Sequence, residues 1–146
     1  MRSLADIERA IDAIDPAGDA TAAARDLLTL GEEVLGNWLH ARDMVPTDET
    51  REGFRLLALH RQGTKGDPSF NACRETCREL AYYYNLLTMQ RGLSATTDRV
   101  AMMKMICSHL HLFVGGKMQV AALGDFCCSS RPLRQADMDN PMTKEA

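Results

Sequence analysis

Several things that would define a function at once are missing from this sequence. No stretch approaches the roughly 18 consecutive apolar residues of a membrane helix. Even Ile106–Val114 is interrupted by Ser108, His109 and His111. The chain is therefore not expected to span a bilayer. Its first residues, Met1-Arg2-Ser3-Leu4-Ala5-Asp6, run into Glu8, Arg9 and Asp12 without the apolar stretch of a secretory signal. A cytoplasmic location is the expectation.

Catalytic signatures are equally sparse. There is no Glu-x-x-His, which removes the di-iron carboxylate bundles that a helical chain of this size suggests. His-Glu-x-x-His and Gly-x-Gly-x-x-Gly are absent, and Gly115-Gly116-Lys117 lacks the upstream glycine and following Ser/Thr of a phosphate loop. Period-two alternation rich in β-branched residues is also missing, so strands are not expected.

What is present describes one ordinary domain: 146 residues, 45% apolar and 25% charged, with a net charge of -3. A chain of this length buries about 68% of its unfolded surface and closes a core without disulfides or metal. The charge is unevenly placed. Residues 1–49 carry four basic and eleven acidic side chains, whereas residues 50–117 carry ten basic and five acidic. Helices of opposite charge lying side by side, or a partner, would explain that pattern.

The periodicity predicts an all-α fold, an antiparallel bundle of four to five helices over residues 1–123 with a tail from 124 to 146. Ser3 reads as the N-cap of a first helix carrying Leu4, Ile7 and Ile11, which stops at Asp15-Pro16. Asp19 caps a second, ending near Arg42. Thr47 or Asp48 is expected to open a third, broken at Gly63-Thr64-Lys65-Gly66. Asp67-Pro68 pairs an N-cap with the proline favoured at the first helical position, and that fourth helix is expected to reach about Arg91. The fifth begins at Thr97 or one residue earlier, with Gly115-Gly116 kinking or ending it.

Five cysteines cannot all pair within one chain, so they read as packing, metal ligation or reactivity. Cys73 and Cys77 lie on one apolar seam of the fourth helix, and Cys107 with His111 on a seam of the fifth. Facing one another, these four would suit zinc, copper(I) or an iron–sulfur unit. Against that stands simple burial, since free cysteine packs as a small apolar side chain. Cys73 lies more than a turn past Asp67, beyond the reach of that helix's dipole. Cys127-Cys128 falls in the tail.

The glycine-flanked loop before the fourth helix offers Lys65 and Ser69, with Arg61, to a phosphate or carboxylate, although Asp67 competes for the same N–H groups. The same region, with Ser69, Asn71, Arg74 and Arg78, has the outline of a helix-turn-helix for DNA. Tyr82-Tyr83-Tyr84 spans most of a helical circumference, so at least one tyrosine must meet solvent or a second subunit. The functional expectation is a self-associating interaction or accessory module with a protein partner and no catalysis of its own. Tyr82 and Tyr83 would lie on its contact surface. A metal-binding bundle and a DNA-binding regulator are the alternatives.

Overall fold

The computed structural model describes residues 1–89 and 96–121. Those residues form an all-α bundle: α1 (Leu4–Ala13), α2 (Ala20–Ala41), α3 (Arg55–Gly66), a 3-10 helix (Pro68–Cys73) that leads into α4 (Arg74–Met89), and α5 (Thr96–Val120). No strand occurs among them, and a single antiparallel bridge joins Arg51 to Phe54. None of the described helices is long and apolar enough to cross a membrane.

Local chemistry sets most of the boundaries. The Ser3 side chain accepts from the Asp6 N–H, and Asp19 accepts from the Ala22 N–H, each satisfying a donor that the first helical turn leaves free. Asp67 likewise accepts from the Ser69 N–H with Pro68 behind it, but the segment it caps is a 3-10 helix that becomes α-helical only at Arg74.

The start of α3 departs from expectation. Thr47 and Asp48 do not open it; the helix begins at Arg55. Residues 42–54 are instead a strap held from a distance, because Gln62 donates through Nε2 to the Val45 carbonyl and accepts through Oε1 from the Thr47 N–H. Arg55 Nε adds a bond to the Thr47 carbonyl. Positive φ angles at Glu52 (55°) and Gly53 (87°) then turn the chain into the helix.

The chain divides into two compact units, residues 1–114 and residues 115–146. Within the first, α2 is the central element. A Cβ placed on its buried Gly31 would stand 3.0 Å from Leu80 Cδ1, 3.4 Å from Leu56 Cδ1 and 3.8 Å from Leu110 Cδ2, so α3, α4 and α5 converge at that point. Alpha-1 is tied to the rest by polar bonds to its backbone. His111 bonds the Leu4 carbonyl at 2.7 Å, and Lys104 donates to the Ile14 carbonyl at 2.7 Å. Trp38, Phe70, Leu27, Leu35, Leu39, Leu56, Leu59 and Leu80 are wholly buried. Each contributes about 1.5–3 kcal/mol through burial.

Of the second unit, residues 115–121 are described. They are the end of α5, which continues through Gly115-Gly116 to Val120, and Ala121 N–H closes it on the Lys117 carbonyl. The expected boundary at 123, the tail and Cys127-Cys128 lie outside the described residues, as does the expected end of the fourth helix at Arg91.

Candidate functional site

Two helical faces and the strap enclose a cavity of about 240 Å³. Alpha-3 supplies Leu57, His60, Arg61 and Thr64, one stripe at three- and four-residue spacing. Asn71 from the 3-10 helix and Arg74 and Arg78 from α4 form the facing stripe, and Arg51 and Glu52 close it from the strap. Four guanidiniums thus meet one carboxylate.

The charges in this wall are not equally engaged. Arg78 holds Glu52 through two bonds of 3.1 Å, which keeps that carboxyl below the usual carboxylate range. Arg74 is paired with Glu75 at 2.6 Å. Neither Arg51 nor Arg61 has an acidic partner among the described residues. Both also line a second cavity of about 410 Å³, together with Lys65, Gln62, Thr47, Thr50 and the carboxylate of Glu49. The two cavities share Arg51 and Arg61, neither of which forms an ion pair among the described residues, and cations outnumber carboxylates in both linings.

His60 is the buried polar group of this wall. It is 7% exposed, and its Nε2 has no hydrogen-bond partner among the described residues. Its ring stacks on Phe70 at 5.9 Å, and Phe70 in turn stacks on Trp38 at 5.4 Å, which fixes the imidazole plane. A buried donor or acceptor without a partner costs about 1–3 kcal/mol, a cost that a ligand atom in the cavity would remove.

Behind the imidazole lie the thiols. Cys73 and Cys77 are 2% and 0% exposed, one helical turn apart. The Cys73 thiol donates to the Phe70 carbonyl at 3.3 Å, and the nearby Cys77 thiol, with the His60 imidazole, holds it below the ordinary thiol range against burial that pushes it up. Cys77 moves the opposite way: the nearby Cys73 thiol, its own burial and the neighbouring charges of Cys73 and Cys107 push it above the ordinary thiol range. Cys107 is pushed up to about 12 by burial, and its thiol sits 3.6 Å from the Leu27 carbonyl.

The residues singled out from the sequence are therefore redistributed. Cys73 and Cys77 do adjoin, but their histidine neighbour is His60. His111 is spent on the Leu4 carbonyl. No group of three or more His, Cys, Asp or Glu side chains among the described residues is placed to hold a metal ion. Arg61 and Lys65 share the larger cavity, whereas the Ser69 hydroxyl is bonded to Asp67 at 2.7 Å and lines neither cavity. Tyr82 is 60% exposed and packs edge-on to the half-buried Tyr83.

Sequence reading alone did not find His60 or Arg51, nor the grouping of Arg74 and Arg78 with them. The available signal was the pair of stripes 57/60/61/64 and 71/74/78, each at helical spacing on either side of Asp67; α3 runs through Gly63-Thr64-Lys65-Gly66, where a break was expected, because Asp67 and Pro68 end the helix only there. Compared with known proteins, the chain matches no family model, no curated protein and no solved structure.

Proposed function

We propose that this protein is a helical binding module that takes an anionic group, phosphoryl or carboxylate, of a partner molecule into the basic cavity between α3 and the 3-10/α4 segment. The observation that carries this reading is the unpaired state of Arg51 and Arg61 beside the orphaned Nε2 of His60. A site with two free guanidiniums and one buried unsatisfied nitrogen is built for an acceptor-rich ligand, because charge-assisted bonds from arginine to such oxygens are the strong ones. Arg78 stays locked to Glu52 and gives the wall its shape.

Titration calorimetry of the full chain with inorganic phosphate, pyrophosphate, a phosphoserine peptide and a glutamate-rich peptide tests the reading. Binding of at least one probe is expected, weakening as salt rises. The double variant Arg51→Ala/Arg61→Ala should lose at least about tenfold in affinity, since each charge-assisted bond contributes about 1.5–3 kcal/mol. No heat with any of the four probes at low ionic strength, or an affinity unmoved by the double variant, overturns it.

Self-association is a second part of the proposal, favoured by a separate observation. Met102, Met105 and Leu112 stand 41%, 53% and 66% exposed on α5. They form a stripe at helical spacing that a monomer leaves in water.

A further inference from the structure

On the basis of that anion site, we infer that the partner is a phosphorylated peptide segment in extended conformation, and that a further cavity beside Tyr82 takes an apolar side chain two residues from the phosphorylated one.

This third cavity, of about 200 Å³, adjoins the basic one of about 240 Å³. The two have Glu52, Leu57 and Arg78 in common. Beyond that shared wall the lining changes character, and Phe54, Ala81, Tyr82 and Asn85 stand where the basic cavity has arginines. Tyr82 is a large ring left 60% exposed, and Tyr83 packs edge-on to it at 5.4 Å. An exposed aromatic ring next to a polar amide is the kind of surface on which partners anchor, because it offers apolar area and hydrogen bonds together.

Charge decides what can lie across the shared wall. Glu52 and Arg78 neutralise each other through two bonds of 3.1 Å. The carboxylate keeps spare lone pairs and the guanidinium keeps spare donors. Neutral peptide N–H and C=O groups crossing the pair can use both. A second phosphate would meet the Glu52 carboxylate instead, so a nucleic-acid strand, charged at every nucleotide, suits the wall less well than a peptide with one charged side chain.

Charge also selects the anion. Arg51 and Arg61 line the basic cavity without an ion pair among the described residues. A phosphorylated side chain brings a charge of about -1.5 to -2 at pH 7 and matches two guanidiniums, whereas a carboxylate leaves one of them unbalanced.

The spacing follows from α4. Its contribution to the basic cavity is Arg74 and Arg78, and to the third cavity Arg78, Ala81, Tyr82 and Asn85. The centres of the two sets lie about 8 Å apart along the axis, at about 1.5 Å per residue. Two residues of an extended chain cover about 7 Å and direct their side chains to the same face. A phosphorylated residue and an apolar one two positions away therefore reach both cavities at once.

Titration calorimetry of the full chain with four probes tests the inference. The first is a short peptide with a central phosphoserine and phenylalanine two positions before and after it. The second has serine in place of both phenylalanines, the third is the first without phosphate, and the fourth is a short thymidine oligonucleotide. The first peptide is expected to bind at least about tenfold tighter than the second, the gain from burying one aromatic side chain. Tyr82→Ala should abolish that difference and leave the second peptide's affinity unchanged, since Tyr82 lines neither basic cavity. Equal affinities for the first two peptides overturn the inference and leave the anion site standing, whereas no binding of either phosphopeptide removes both. An unphosphorylated peptide that binds as tightly as the first, or an oligonucleotide that binds more tightly, also overturns it. The comparison of peptides on the unaltered chain keeps the test decisive should Tyr82→Ala misfold.

Discussion

Glu32 sits half-buried on α2, 3.8 Å from Arg55 and next in sequence to Glu33. Burial is the main influence and raises its pKa above 4.5; Arg55 pulls it down and Glu33 adds to the rise. The sign follows directly. A carboxyl whose pKa is higher in the folded than in the unfolded chain is penalised in the fold wherever it is ionised. The penalty is absent below the unfolded value, grows as pH rises from the unfolded to the folded one, and is fully present above it. Glu32→Gln is expected to raise the melting temperature at pH 7 and to leave it unchanged at pH 4, as thermal unfolding at the two pH values would show.

Gly63 makes a second prediction at the same scale. A Cβ there would lie 2.7 Å and 2.8 Å from two ring carbons of Phe70. That ring cannot yield, because Trp38, His60 and Phe113 all pack on it. Gly63→Ala should therefore cost about 1–3 kcal/mol in denaturant unfolding, the range of core overpacking, despite the helix propensity alanine adds.

At the scale of elements, the strap of residues 42–54 matters most, because it delivers Arg51 and Glu52 to the cavity while its own anchor is Gln62 of α3. Gln62→Leu removes both anchoring bonds. A loss of about 1–2 kcal/mol in stability is expected, together with weaker binding of any probe that Arg51 contacts. An unchanged affinity in calorimetry would mean that the strap does not position Arg51.

The strap also shows what could be read from sequence. Helix starts at Ser3, Asp19 and Asp67 were legible because capping is decided within three residues. Thr47 and Asp48 look like equally good caps. They lose that role to a side chain fifteen positions away, and no short window contains it. The site behaves the same way. Arg61 and Lys65 announce themselves beside a glycine loop, and the thiol seam of α4 follows from its three- and four-residue spacing. That His60 rather than His111 meets the thiols depends on how α3 and α5 rotate against their neighbours, which periodicity alone leaves open.

For the whole molecule, the acidic first third and the basic middle meet directly, since Arg55 lies 3.8 Å from Glu32 and 3.6 Å from Asp48. The cationic excess is gathered around the two basic cavities by α3, the 3-10 helix, α4 and the strap, while the apolar stripe of α5 is a separate feature. If that stripe mediates self-association, Met105→Glu/Leu112→Glu should convert a dimer to a monomer in size-exclusion chromatography with light scattering, and anion binding should persist. A chain that is already monomeric at micromolar concentration would remove the self-association reading and leave the cavity untouched.

The stacking of Trp38 on Phe70, and of Phe70 on His60, has an optical consequence. The chain holds one tryptophan. It is 2% exposed, with the Arg42 guanidinium 5.0 Å from its ring centre on one side and Phe70 stacked within 11° of parallel on the other. Its emission is therefore a single-site signal, one ring removed from the imidazole. An anion seated against His60 should reach that fluorophore through a rigid stack, giving the protein an intrinsic, label-free readout of its own pocket.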